Sequence, residues 1–239
     1  GTQRRLMPPP PAPAGGPFPR PKKGNDMLLF YGKPNGGNLS KDENASRAAR
    51  LVALREHFHA WKKWPEFAPA NKSFKPVAIH FLQEEIRAGR HKGLKAYGEA
   101  AKILVLNAHG NEFAFNNVST GAAEVAELLI ELGIREAGTE QIWLAACDNG
   151  LQTQDNGGPL PLVSKLASLL ATREGLHPKV YAPRGKVSYQ EKTLQRVGTE
   201  DVIRYGKVMI RTLDGPTNPE TGKKTDFFYP FDQGWVLAQ

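Results

Sequence analysis

A chain of 239 residues with a single cysteine can form no intrachain disulfide, and nothing in it is built to need oxidation. Long apolar runs are also missing. None approaches the roughly 20 residues of a membrane-spanning helix, so no span is expected. The N-terminus has neither a Met nor an apolar signal core, so no export signal is visible. No GxxxxGK[ST] loop, HExxH pair or CxxC set occurs, which leaves ATP-driven, zinc-protease and zinc-finger chemistry without support. No metal site is expected either. His57 and His59 fall on different faces of a helix, where a metal pair wants i,i+4 spacing. There is no internal repeat.

What is present fits one α/β domain with a tail: 40% of the residues are hydrophobic and 23% charged. A net charge of +8 suits acidic partners, such as nucleic acid, an anionic lipid or an inositol phosphate, and suits plain solubility equally well. Residues 1–25 contain MPPPPAPAGGPFPRPKK, which offers little to bury and reads as an extended, disordered linker. Such a linker suggests a domain cut from a longer protein, or a delivery region upstream. Residues 26–239 form the domain.

Within that domain, 26–31 (DMLLFY) reads as a first strand. Ser40 to Glu43 reads as a capping box for a helix running to about Lys63, with Leu51, Leu54, Phe58 and Trp61 as its buried stripe. Residues 76–82 form a possible second strand, with His80 a packed or edge residue. Gln83 to Ala101 is partly helical and carries the basic cluster Arg87, Arg90, His91, Lys92 and Lys95, whose plain reading is a solvated face. Farther on, 161–172 is an amphipathic helix, 179–182 (KVYA) a strand, 207–213 a late strand, and 227–236 an aromatic hairpin or cap.

The chain is organised around Lys102 to Gly150. Two apolar runs, 103–108 and 142–146, suit buried parallel strands. Between them Val125, Leu128, Leu129 and Leu132 mark one face of a crossover helix, capped by Ser119 or Thr120 and closed at Gly133. A strand–helix–strand unit is right-handed and brings both strand C-termini to one sheet edge, where α/β folds place their ligands. His109 follows the first run and Cys147 the second, so topology alone brings an imidazole and a thiol together. A neighbouring His takes the proton that keeps a thiol from attacking. The backbone N–H groups of Gly110 and Cys147 are candidates to face an oxyanion. Read separately, a lone Cys or His at a strand end is most often a packed residue.

NAHGN, IWLAACDNG and the later KVYAPRGKVSY resemble the caspase-type (clan CD) cysteine peptidases, over about Lys102 to Lys192, and most of all the self-processing cysteine protease domains of bacterial toxins. The resemblance implies a caspase/hemoglobinase-like fold, a three-layer α/β/α sandwich with a mostly parallel central sheet. It implies a thiol protease with Cys147 as nucleophile and His109 as base and proton donor, requiring no cofactor. Ala145-Ala146-Cys147-Asp148-Asn149-Gly150 departs from the caspase signature Gln-Ala-Cys-X-Gly in having Ala for Gln and one extra residue before Gly. An arginine pocket for aspartate is therefore not carried over.

Asp148 and Asp155 lie in the loop after the thiol. If either lines the first specificity pocket, a basic residue precedes the scissile bond; otherwise Asp-Asn-Gly is turn chemistry. Arg184 should emerge on the same sheet edge as a contact for substrate, and Lys186 to Tyr189 is expected to continue as a strand that pairs an extended peptide. The resembled toxin domains are activated by inositol hexakisphosphate, for which Lys186, Lys192, Arg196, Arg204, Lys207 and Arg211 are the basic residues to hand. The expected protein is a bacterial effector or toxin protease that processes itself or cleaves a target protein, delivered to a target-cell cytosol. The alternative is a non-enzymatic basic module that binds nucleic acid or another anionic ligand.

Overall fold

The apolar runs pair as adjacent parallel strands, β3 (Ile103–Ala108) and β4 (Gln141–Ala146), in register from Ile103 opposite Gln141 to Ala108 opposite Ala146. The computed structural model describes residues 28–31, 41–62, 77–78, 93–95, 101–110, 121–151 and 160–238. The linker, the Ser40 cap, His80, the basic cluster apart from Lys95, the caps Ser119 and Thr120, and Asp155 lie outside the described residues.

Four more strands complete the main sheet: β1 (Leu28–Tyr31), β2 (Val77–Ala78), β5 (Lys179–Pro183) and β9 (Trp235–Leu237). The order is β2-β1-β3-β4-β5-β9, parallel throughout except for β9, which pairs antiparallel with β5. The crossover helix α2 (Ala122–Leu132) has its N-cap at Gly121, with no side-chain cap hydrogen bond, rather than at Ser119 or Thr120, and it buries Val125, Leu128, Leu129 and Leu132. It ends at Gly133, whose φ of 89° only glycine adopts freely, and whose N–H donates back to the Ile130 carbonyl. One short turn, α3 (Ile134–Ala137), leads into β4, and α4 (Leu162–Glu174) connects β4 to β5.

Strand periodicity sorts the core into two halves. Leu104, Leu106, Ile142 and Leu144 face α2 and α4. Val105, Trp143 and Ala145 face the opposite way, against α1 (Lys41–Lys62), which buries Leu51, Leu54 and Phe58 there. Trp61, the fourth residue of the expected stripe, is half-buried and packs edge-on to Trp143 at 5.4 Å.

The fold is thus a mixed α/β one with a largely parallel sheet, but the layer on the α1 side is not purely helical. A second, antiparallel sheet of β6 (Lys186–Val197), β7 (Glu200–Thr212) and β8 (Phe227–Pro230) shares that side. Val208 of β7, Phe231 and Trp235 join Phe58 and Trp143 in one aromatic core. His57 pins the layer together. Its Nε2 accepts from the Val208 N–H at 3.1 Å, so its proton sits on Nδ1, which donates to the Ala53 carbonyl at 2.7 Å. Among the described residues no helix is long and apolar enough to cross a membrane.

Candidate functional site

The ladder of β3 and β4 ends with Ala108 opposite Ala146, and the next residue on each strand is His109 and Cys147. The two therefore leave adjacent parallel strands at the same level. The pleat turns alternate side chains to one face, so Asn107 and His109 on one strand, and Ala145 and Cys147 on the other, point toward α1. There they line a cavity of about 110 Å³ together with Arg47 and Arg50 of α1 and Val187 and Tyr189 of β6.

Gly110 explains how close the two loops come. A Cβ at this position would lie 2.9 Å from the Ala146 Cβ, the Cys147 carbonyl oxygen and the Asn149 Nδ2 alike. Only glycine lets the His-Gly turn lie down on the thiol's own loop. Below it, the Asn107 Nδ2 donates to the Ala145 carbonyl at 2.8 Å and ties the two strand ends together.

The loop after the thiol is laced to the β5–β6 turn. The Asp148 N–H donates to the Gly185 carbonyl at 2.9 Å, and the Gly150 N–H to the Pro183 carbonyl at 3.0 Å. Asp148 holds a φ of 60°, the left-handed region that an aspartate tolerates better than most side chains. Of the two N–H groups considered for an oxyanion, that of Cys147 faces its own sulfur, as does the Val187 N–H from β6. Gly110 follows His109 in the chain but is not among the residues that line the cavity.

Burial dominates the thiol's acidity and pushes it up, and the Asp148 carboxylate pushes the same way. The Val187 N–H and the Lys186 ammonium pull against both without overcoming them. At rest Cys147 is a half-buried neutral thiol, beside an exposed His109. The arrangement thus suits proton removal during attack rather than a standing thiolate. Burial also raises the Tyr189 hydroxyl well above its ordinary range.

Asp148 and Arg184 are placed elsewhere. Asp148 is close enough to act on the thiol electrostatically but is not among the residues lining the cavity. The Arg184 guanidinium lies over the Tyr229 ring, 4.9 Å from its centroid, on the side of the second sheet. Only its backbone, whose N–H donates to the Gly234 carbonyl at 2.9 Å, shares the edge where the strands end. Among the described residues no group of His, Cys, Asp and Glu is arranged to hold a metal.

Three cavity residues escaped the reading of the sequence: Arg47, Arg50 and Tyr189. The signal for the arginines was the α1 stripe itself. Carried one turn back from Leu51 and Leu54, the i−4 positions are Arg47 and Arg50. Tyr189 was legible only as the end of a short strand, Lys186 to Tyr189, expected to pair a substrate peptide, and not as a residue lining the cavity beside the thiol. No family model, curated protein or solved structure matches this chain.

Proposed function

We propose that this chain is a cysteine endopeptidase with a caspase/hemoglobinase-like arrangement of its main sheet. One observation carries the reading: His109 and Cys147 follow the last paired residues of two adjacent parallel strands and line one cavity. The Cys147 Sγ attacks a peptide carbonyl carbon while its proton passes to His109. The carbonyl becomes an oxyanion, for which backbone N–H groups at the Gly110 and Cys147 turn are the donors. His109 then gives the proton to the leaving amine as the C–N bond breaks. Water attacks the resulting thioester, His109 takes its proton, and the sulfur leaves with the proton restored.

The substrate is a protein or peptide in extended conformation. Among the described residues β6 is an edge strand of the second sheet, and it passes the thiol at Val187, so that edge suits backbone pairing with a peptide. A bacterial effector or toxin role, by autoprocessing or cleavage of a foreign protein, accords with the sequence resemblance. Inositol hexakisphosphate is the activator to try, with Lys186 opposite Arg211 at the near end of the β6–β7 hairpin. Part of that charge is already answered, by Asp201 at 3.5 Å from Arg196 and by Asp226 at 3.9 Å from Arg211. This weakens the alternative of a purely anion-binding module, which requires steep salt dependence and indifference to Cys147.

The test is intact mass after exposure to a peptide acyloxymethyl ketone, with and without inositol hexakisphosphate. Iodoacetamide serves as a control for access. The ketone should modify Cys147, do so at least about tenfold more slowly in His109→Ala, and not react with Cys147→Ala. If neither reagent reaches Cys147 until the protein is denatured, the cysteine is a core thiol and the peptidase reading fails.

A further inference from the structure

We propose that the groove between α1 and the β6–β7 hairpin seats this chain's own N-terminal segment, residues 1–25, as an extended proline-rich strand held by its basic residues. Among the described residues the groove shares no lining residue with the cavity beside Cys147, and the proposal does not depend on the peptidase reading.

The groove is apolar where a solvated helix face would carry charge. Ala45, Ala48, Ala49 and Val52 line it from α1, on a different face from the Leu51, Leu54 and Phe58 stripe. Val52 remains 38% exposed. Tyr205 of β7 lines the other wall, its hydroxyl hydrogen-bonded to the Ser46 Oγ at 3.0 Å. The volume of about 570 Å³ falls within the ~300–1,000 Å³ of clefts that seat ligands.

The hairpin is shaped around this groove. Gln190 pairs with Lys207 and Lys192 with Tyr205, which leaves Glu191 opposite Gly206 at a break in the ladder. Glu191 holds a φ of 56°, a left-handed backbone that few side chains other than Asn, Asp and His adopt. A Cβ on Gly206 would lie 2.8 Å from the Glu191 Oε2, so the missing side chain leaves room for that carboxylate. Both residues line the groove. Backbone strain of this kind collects where ligands are held.

Charge selects the occupant. Glu56, Glu191, Glu200 and Asp201 line the groove against one guanidinium, that of Arg204. Asp201 is 3.5 Å from Arg196, and the Arg204 Nε donates to the Gln195 side chain at 2.8 Å. Glu56, Glu191 and Glu200 are exposed and make no ion pair among the described residues. Residues 1–25 hold Arg4, Arg5, Arg20, Lys22 and Lys23, and no Asp or Glu. They also hold eight prolines, four of them consecutive at 8–11. Proline-rich segments dock in grooves with an aromatic wall at low entropic cost. Tyr205 supplies that wall here, and the carboxylates beside it meet the basic residues. Reach is no obstacle. Residues 1–25 span about 75 Å at ~3.1 Å each in polyproline form, against about 45 Å for the breadth of a domain of this size. The smaller acidic groove between α2 and α4 has no aromatic ring among its described lining residues, and its Glu174 already pairs with Arg135 at 2.9 Å.

The experiment places photoreactive p-benzoylphenylalanine at Phe18 of the full chain, with Cys147→Ala so that self-cleavage cannot remove the segment. After irradiation, peptide mass spectrometry maps the crosslinks. Mixing isotope-labelled and unlabelled protein separates contacts within one molecule from contacts between two. Crosslinks should fall within 45–56 and 191–206 of the same molecule. Their yield should drop at least about threefold between ~0.05 M and ~0.5 M salt. It should drop at least about threefold in Glu56→Lys/Glu200→Lys and in Arg20→Glu/Lys22→Glu/Lys23→Glu. The map itself needs neither charge variant, so a variant that fails to fold does not shield the idea. Crosslinks to the α2–α4 groove, crosslinks spread over the domain, crosslinks between two molecules, or none at all would each overturn it. So would groove crosslinks indifferent to salt and to both charge reversals. Cys147 takes no part in the readout, so failure here leaves the peptidase reading standing, and failure of that reading leaves this one standing.

Discussion

The Asn107 side chain donates to the Ala145 backbone carbonyl at 2.8 Å, two residues before His109 on one strand and Cys147 on the other. A side chain of β3 thus bonds to the backbone of β4 at the end of their ladder. Asn107→Ala removes that bond and leaves the part-buried Ala145 carbonyl short of a donor. The expected cost is about 1–2 kcal/mol, or a melting-point drop of about 2–8 °C for a chain of this size. Thermal unfolding measures the loss. Ketone modification of Cys147 should slow as well, because His109 follows the strand end that has come loose. An unchanged melting point would mean that the sheet ladder alone holds the two strand ends.

Gly110 gives a sharper test of geometry. Its hypothetical Cβ meets the Ala146 Cβ and the Cys147 carbonyl at 2.9 Å, and neither neighbour can swing away. Gly110→Ala must lift the His109 turn off the Cys147 loop, at an expected cost of about 1–3 kcal/mol. Circular dichroism should remain that of a folded protein. Ketone modification of Cys147 should fall at least about tenfold, while iodoacetamide reaches the thiol no more slowly than before. Wild-type ketone kinetics in this variant would show that the close approach has no part in the chemistry.

Much of this geometry could be read from residue order, for a definite reason. Apolar runs of strand length on either side of the Val125, Leu128, Leu129 and Leu132 stripe leave few topologies, and all of them bring His109 and Cys147 to one edge. The Leu51, Leu54, Phe58 stripe placed α1 equally well. The hairpin was harder. β6 and β7 run for 12 and 13 residues, yet KVSY and KVMIRTL were the only parts legible. Beyond Gln190 the strand β6 is exposed throughout, so no buried face stamps a period of two on the sequence. The segment 227–236 was legible as aromatic but not as the link between two sheets, because burial of Phe231 and Trp235 depends on a partner, α1, far away in sequence. Arg47 and Arg50 were hidden for the opposite reason. They continue an apolar stripe with charged residues, and a stripe that ends in charge reads as a helix leaving the core.

His57 tests whether α1 must be fixed for the cavity to work. Its two nitrogens bridge the Ala53 carbonyl and the Val208 N–H, joining the helix that carries Arg47 and Arg50 to β7. His57→Ala leaves a part-buried N–H unpaired and removes an edge-on contact with Phe231 at 5.4 Å. A loss of about 2–3 kcal/mol is expected, measured as a shift of the urea midpoint at constant slope. Ketone modification of Cys147 should slow in this variant, because α1 carries one wall of the cavity through Arg47 and Arg50. A stability loss with the ketone rate intact would place the anchoring of that wall in the contacts of Arg47 with Tyr31 and of Arg50 with Tyr189 instead.

Alkaline pH should destabilise the fold through the cavity itself. Burial holds the Cys147 thiol above its ordinary value of 9.0 and the Tyr189 hydroxyl above 10.0. Below pH 9 both groups keep their protons whether the chain is folded or not, and no difference arises. Above it, the unfolded chain releases the thiol proton while the folded chain retains it. The unfolded state then binds fewer protons, so stability falls as pH rises, and Tyr189 adds the same sign from pH 10 upward. Urea unfolding of the wild type and of Cys147→Ala/Tyr189→Phe between pH 8 and 11 isolates this effect, since exposed lysines and tyrosines titrate alike in both. The wild-type midpoint should decline more steeply than that of the double variant, with the divergence starting near pH 9. Parallel curves would mean that water reaches both groups in the folded protein, against the burial that raises them.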